Sequence, residues 1–301
     1  MDIATLQSRF NMPKLLTFEE QNGLIRAMVH TPEATATIYL QGAHLAAWEP
    51  AGEGPVIFLS SKTDLAQGKP IRGGVPVVFP WFANDSKKDR IDGHPGPAHG
   101  FARVQEWSLD KVESRGHELR LELTLGPTAM SRSMGYDAFL LTMEFVIGKA
   151  LTMSMTVKNT GGAALMFEDA FHTYYKIADI HEVAVRGLEA TSFIDKTDDF
   201  KVKPAEGKPV RFTKKEDRVY NGTTSDCVID DVAGRRRIRL HKSGSNTTVV
   251  WNNFAAMPDL GEWDWHEYVA VETANAGRDA VTLAAGASAT MVAHSTVEKL
   301  G

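Results

Sequence analysis

An all-β protein of antiparallel sheets is what this sequence predicts, on three observations. Short runs with period-two alternation of apolar and polar residues fill the chain from about residue 24 to about residue 297. Gly, Pro, Asn and Asp punctuate these runs about every ten residues, the spacing of strands joined by turns. No long amphipathic stripe of helical period interrupts the series. In chain order, the pattern predicts a helix at Ile3–Arg9, strands at 24–29, 37–40 and 56–59, and a turn near 64–67. The clearest strand is Glu118–Leu125, where Leu119, Leu121, Leu123 and Leu125 point one way and Glu118, Arg120, Glu122 and Thr124 the other. A short helix is expected over 127–134. Strands at 138–147 and 151–157 follow, joined at Gly148 and Lys149, where glycine at the first central position suits a type II′ hairpin. Further strands are predicted at 166–177, 182–186, 237–241, 247–250, 268–272 and 289–297. With no Pro-, Gly- or Ser-rich linker, no composition break and no fixed repeat, one β-sandwich domain over residues 1–301 is expected.

Composition narrows the function classes. Of the 301 residues, 43% are hydrophobic and 24% charged, which excludes disorder and allows a large core. The 25 Gly and 13 Pro show no fixed period, so collagen-like readings fail. Net charge is -5 and no basic block exceeds Arg235-Arg236-Arg237, which argues against a nucleic-acid partner. Cys227 is the single cysteine, so neither an intramolecular disulfide nor a cysteine zinc cluster can form. The start of the chain carries acidic and polar residues throughout, and no stretch approaches about 18 apolar residues. A cytoplasmic protein without membrane contact is expected; the oligomeric state stays open, with a monomer compatible. P-loop, dinucleotide-binding, Gly-x-Ser-x-Gly and His-Glu-x-x-His signatures are absent.

Five strings place polar residues in apolar or glycine-rich surroundings. In Ile71-Arg72-Gly73-Gly74-Val75-Pro76-Val77-Val78-Phe79-Pro80-Trp81-Phe82, one arginine opens a run that should be buried; it serves either a structural ion pair or a ligand cleft. His99 and Arg103 follow a Gly- and Pro-rich loop at 92–97, the kind of segment that carries binding groups on a rigid sandwich. On a strand, Phe167, Phe171 and Tyr175 would share one face and Glu168, His172, Tyr174 and Lys176 the other, so His172 is expected on a polar sheet face, either wet or used in proton transfer. In Tyr268-Val269-Ala270-Val271-Glu272, the valines face the core and Glu272 faces away at the strand end, as an exposed glutamate or a general base. Around Glu216-Asp217-Arg218-Val219-Tyr220, charges precede an Asn221-Gly222 turn, and a solvated loop is the default expectation.

Together these strings resemble the aldose 1-epimerase (mutarotase) superfamily, and within it the hexose-6-phosphate mutarotases. The matching elements are Arg-Gly-Gly-Val-Pro-Val-Val-Phe-Pro at 72–80, His-Gly-Phe-Ala-Arg at 99–103, His-Thr-Tyr-Tyr at 172–175, Asp-Arg-Val-Tyr at 217–220 and Val-Glu at 271–272, in the family's order. One departure is Ala98, where the family commonly has glutamine. The resemblance implies a galactose-mutarotase-like supersandwich with a sugar on its concave face. It implies His172 as general acid, Glu272 as general base, Arg72, Arg103 and Asp217 as substrate-holding groups with His99 beside them, and no cofactor or metal. Opening a pyranose takes a proton from the anomeric hydroxyl and gives one to the ring oxygen, so acid and base are expected on different sides of the acetal. A histidine charged near neutral pH suits the acid. Two arginines without room for internal acidic partners suit the phosphate of a phosphorylated hexose.

Three rivals remain open at this level. A non-catalytic carbohydrate-binding sandwich would use Trp81, Trp263 and Trp265 for stacking. A glycoside hydrolase would pair Glu272 with Asp217. A cupin-type metal enzyme would draw on His94, His99 and Glu106, although a paired His-x-His is lacking.

Overall fold

The computed structural model describes residues 2–10, 12–84 and 96–300. Among them, the paired strands run antiparallel and two large sheets dominate. The nine-stranded sheet runs in the order Val210–Arg211, Val183–Arg186, Cys227–Asp231, Arg236–Ser243, Ser288–Lys299, Leu151–Asn159, Phe139–Ile147, Glu118–Leu125 and Ser108–Arg115. The eight-stranded sheet runs Lys201–Lys203, Phe193–Asp195, Glu216–Asn221, Thr247–Asn252, Tyr268–Asn275, Asp169–Phe171 and Val77–Val78, and Tyr174–Lys176 pairs with the first part of Tyr268–Asn275. A four-stranded meander from Leu16–Gln21 to His44–Pro50 and a small pair, Leu165–Phe167 with Val281–Leu283, complete the sheets.

The alternation read from the sequence is what builds the core. Leu119, Leu121 and Leu123 lie opposite Ile147, Phe145 and Met143, which in turn lie opposite Leu151, Met153 and Met155; all nine side chains are fully buried. Each contributes about 1.5–3 kcal/mol by leaving water. The same apolar cluster takes in Val77, Phe171, Tyr175, Val250, Val269 and Val271 of the eight-stranded sheet. The two sheets thus share one core, and Tyr175 Oη meets Ser295 Oγ across it at 3.0 Å.

Because Val269 and Val271 face that core, Tyr268, Ala270, Glu272 and Ala274 face the other side of the eight-stranded sheet. A second aromatic cluster, Phe58, Tyr174, Leu260 and Tyr268 with Trp251 packed against it, covers part of that outer face. Chain segments lie over the rest. Two close approaches there demand glycine. Gly74 has φ +64°, and a Cβ on it would stand 2.1 Å from His44 Nε2. Gly100 has φ +75°, and its Cβ would stand 2.0 Å from the Phe79 carbonyl oxygen.

Several expectations need correction. The helix Ile3–Arg9 stands as read, capped by Asp2 Oδ1 accepting from Thr5 N at 2.8 Å, but the 127–134 helix is only Ala129–Ser133. The predicted strand 56–59 is irregular chain with isolated bridges, Ile57 to Tyr175 and Leu59 to Gly73. The predicted strand 166–177 is three short strands, interrupted at Glu168, whose N donates to Pro80 O, and at His172 and Thr173, where His172 N donates to Pro76 O and Thr173 N to Phe171 O. The hairpin after Phe139–Ile147 has a three-residue connection, Ile147 facing Leu151, and Gly148 does not take a positive φ, so it is not a type II′ turn. No helix among the described residues is long and apolar enough to cross a membrane.

One buried acid makes the fold pH-sensitive. Asp169, 3% exposed, accepts from Asn275 Nδ2 at 2.9 Å, and burial pushes its carboxyl up to about 7. The unfolded chain ionises this group near its ordinary 3.8, so its contribution to stability is full below that pH and is lost as pH rises toward 7. Asp169→Asn should therefore leave stability near wild type at pH 4 and raise it by about 2–4 kcal/mol at pH 8. Denaturant unfolding at both pH values checks this; a variant with the wild-type pH slope refutes it.

Candidate active site

On the outer face of the eight-stranded sheet lies a cavity of about 420 Å³, within the range of small-molecule sites, walled by Arg72, His99, Arg103, His172, Tyr174 and Asp259 among others. Four of the six residues singled out in the sequence therefore converge on one space. Glu272 and Asp217 are not on its wall; Glu272 lies behind His172, and Asp217 sits on the strand Glu216–Asn221.

Arg72 is placed by its backbone: its N donates to Thr63 Oγ1 at 2.7 Å and its carbonyl accepts from Ser60 N at 3.1 Å. The Gly73-Gly74 pair then lets the chain pass against Phe58 and His44. The expectation that no internal acid would face Arg72 is overturned. Its Nε donates to Asp259 Oδ2 at 2.8 Å, Nη2 donates to the same oxygen, and Nη1 donates to Tyr174 Oη at 2.9 Å. Arg103 is different. It comes from a 3₁₀ turn, Ala102–Val104, and its Nη2 donates to the Ala98 carbonyl at 2.6 Å, while its buried Nε has no hydrogen-bond partner among the described residues. No carboxylate among the described residues lies within ion-pair distance of it. Burial draws its guanidinium down to about 10, with the Arg72 charge adding to the effect and Tyr174 opposing it.

His99 adopts φ +61° just before Gly100, a geometry that lets its Nδ1 accept from Ala83 N at 3.3 Å. This leaves Nε2 as the donor of a neutral ring. Burial first, then the charges of Arg103, Lys196 and Arg72, hold His99 down at about 3. Its ring meets that of His172 edge-on at 5.4 Å.

His172 stacks on Tyr174, with ring centroids 4.9 Å apart and planes 14° apart. Its Nε2 lies 3.4 Å from Glu272 Oε1. Both the wet polar face and the exposed strand-end glutamate are corrected here. Glu272 sits inside the continuous strand Tyr268–Asn275, opposite Val249, and is 2% exposed. Nor do the two groups face each other across a sugar-sized gap: they touch. Burial lowers His172 well below its ordinary 6.5, aided by His99 and Arg103. It raises Glu272 well above its ordinary 4.5, aided by Asp217 and opposed by Lys196. The expected ready imidazolium is thus disfavoured. Asp217 belongs to the strand Glu216–Asn221 rather than to a solvated loop, and its Oδ2 stands 3.3 Å from Lys196 Nζ. Burial is the main cause that raises its carboxyl, with Lys196 pulling the other way.

Neutral His172 with protonated Glu272 carries the same number of protons as the imidazolium-carboxylate form. The pair holds one mobile proton and titrates as a unit. That is the equipment of an acid-base catalyst able to run in either direction.

The family model of aldose 1-epimerase matches residues 27–294. The chain belongs to the aldose 1-epimerase family. It is an isomerase, and its sheets are those of galactose-mutarotase-like structures. An Escherichia coli K12 protein named "Putative glucose-6-phosphate 1-epimerase" is 34% identical over 255 residues, covering 83% of this chain and 82% of that one. A Salmonella typhimurium protein whose crystal structure bears the name "putative mutarotase" superposes with a TM-score of 0.87 at 27% identity, covering 98% of this chain and 99% of that one. A galactose mutarotase-like protein from Clostridium acetobutylicum shares the fold at 13% identity, with a TM-score of 0.70 over 94% of this chain and 98% of that one.

Three residues of the enzyme's site escaped the sequence reading. Tyr174 was legible as sharing a face with His172, but not as its stacking partner. Lys196 and Asp259 gave no signal; Asp259 is 187 positions from the arginine it contacts. Among the described residues, no group of three or more His, Cys, Asp or Glu side chains is arranged to hold a metal ion, and His94 lies outside those residues.

The shared proton sets the pH dependence. With two protons the pair has no base, and with none it has no acid, so kcat/KM for anomer exchange should be bell-shaped. The acid limb should fall below pH 6.5, because burial and neighbouring positive charge resist the second proton on His172. An acid limb above 6.5, measured by NMR exchange across pH 4–10, refutes this account of the pair.

Proposed function

We propose that the enzyme interconverts the α and β anomers of a hexose 6-phosphate, with His172 and Glu272 as the proton-transfer pair. The observation that carries this reading is the His172–Glu272 contact of 3.4 Å at the inner wall of a cavity with surplus positive charge. Of the charged groups around the cavity, Asp259 is matched by Arg72 and Asp64 by Lys69, whereas Lys62 and Arg103 have no carboxylate within ion-pair distance among the described residues. Two unmatched cations complement a phosphate monoester, which carries about two negative charges at neutral pH.

In the reaction, Glu272 takes the proton of the anomeric hydroxyl and the O1 electrons form the C1=O bond. The C1–O5 bond breaks, and O5 takes its electron pair together with the proton from His172. Rotation about C1–C2 and closure from the other face, with the proton steps reversed, gives the other anomer. Because O1 must reach Glu272 and O5 must reach His172, the C1 end of the sugar has to enter between the two groups, and their 3.4 Å contact opens on binding. In this reading His99, on the cavity wall, orients a sugar hydroxyl by donating through Nε2, and Asp217, which lies off that wall, is assigned a substrate-holding role by the family resemblance alone. The phosphate also assists the acid. Arg103 and Arg72 help to hold His172 below its ordinary range, so an anion that neutralises them eases formation of the imidazolium.

His172→Asn and Glu272→Gln should each lower anomer exchange of glucose 6-phosphate by about 10²- to 10⁴-fold, the scale of a lost general acid or base. Exchange NMR with a parallel thermal-unfolding control measures this, and near wild-type exchange in either variant removes that residue from the pair. Arg103→Ala should cost roughly 2–5 kcal/mol in kcat/KM for the phosphorylated sugar and much less for free glucose. Equal losses on both sugars would assign the cavity to a free aldose.

A further inference from the structure

Resting on the phosphate reading above, we infer that Asp259 is a specificity-determining residue that occupies the phosphate-binding edge of Arg72 and leaves it when a phosphate monoester arrives. A guanidinium grips a phosphate through two parallel N–H donors. Of the two such edges of Arg72, the side edge, Nε with Nη2, is taken by the single oxygen Asp259 Oδ2, and on the end edge Nη1 already donates to Tyr174 Oη at 2.9 Å. Both donors of the side edge are engaged, so a phosphate can take them only by replacing the carboxylate. Placing the phosphate beside it instead would set two anions against each other with one cation between them.

The local structure favours exchange. The Asp259 side chain is 52% exposed and that of Arg72 is 26% exposed, so the carboxylate stands on the solvent side and the arginine on the protein side. Arg72 is anchored independently, through Tyr174 and through its backbone bonds to Thr63 and Ser60. It keeps its place when Asp259 goes. The segment beyond Asp259 is anchored too: Leu260 is 1% exposed in the cluster with Phe58, Tyr174 and Tyr268, and Asp264 Oδ2 accepts from both Ser60 Oγ at 2.6 Å and Gly261 N at 2.7 Å. The exchange is thus a swing of the Asp259 side chain rather than an opening of the loop. Asp259 then competes with the anion for Arg72 and so moderates the preference for phosphorylated sugar: a dianion has to displace the carboxylate, whereas a neutral sugar leaves it in place.

The test uses Asp259→Asn, with Asp259→Ala as a second variant, in the full chain at constant ionic strength. Inorganic phosphate binding is read by calorimetry, and KM for glucose 6-phosphate and for free glucose by exchange NMR. The expected result is that both variants bind inorganic phosphate about 2- to 10-fold more tightly and show a lower KM for glucose 6-phosphate, the scale of one half-exposed ion pair. The ratio of the free-glucose KM to the phosphorylated-sugar KM should rise. If instead the variants bind phosphate equally or more weakly while the wild type prefers the phosphorylated sugar, Asp259 is a buttress of Arg72 and the inference falls. A wild type that neither binds inorganic phosphate nor distinguishes the two sugars overturns the phosphate reading itself, and this inference with it.

Discussion

The contact between His172 and Glu272 is the constraint on which the rest of the site depends. Each group alone would be costly in a place that water barely reaches, because desolvation opposes its charged form. Brought to 3.4 Å, they need only one proton between them to avoid two bare charges. The same burial that makes the pair expensive leaves it poised, since moving that proton by one hydrogen-bond length exchanges a neutral pair for an ionic one. Every nearby charge then acts on this balance. Arg103 and Arg72 oppose the imidazolium, Asp217 favours the protonated glutamic acid, and Lys196 works against that.

Such a pair requires a rigid platform. Glu272 is on a central strand of the eight-stranded sheet, where Val269 and Val271 alternate with it and sink into the core shared with the nine-stranded sheet. His172 sits at a break between two short strands, with its backbone N bound to Pro76 and its ring flat on Tyr174. Tyr174 in turn holds Arg72. The His172–Glu272 pair and Arg72 are therefore linked by a stacked ring and one hydroxyl, a physical route between the cavity's arginine and the proposed proton-transfer pair.

Much of this was legible beforehand. The leucine and methionine alternation at 119–125 and 151–157 marked the core strands, because one buried face imposes period two on whatever sequence builds it. The glycines of the Arg-Gly-Gly and His-Gly strings marked places where backbone meets backbone or a buried imidazole, and Gly74 and Gly100 do so at distances no side chain could share. The five strings together singled out Arg72, His99, Arg103, His172, Asp217 and Glu272. The strand ends were less legible: the breaks at 172 and 173 and the irregular chain at 56–59 arise from pairing with distant segments, which no local pattern records.

What the sequence by itself determined is the all-β architecture, the membership of an epimerase family, and which polar residues to look for at the site. Each of these is written in short-range alternation or in strings of neighbouring residues. What only the tertiary structure decided is how those residues are charged and whom they meet. Arg72 faces Asp259 across 187 positions, Glu272 is buried rather than exposed, and His172 is held away from its imidazolium form. The physical reason is that alternation specifies which face a side chain takes, whereas the protonation and pairing of a group depend on what the rest of the chain lays over that face.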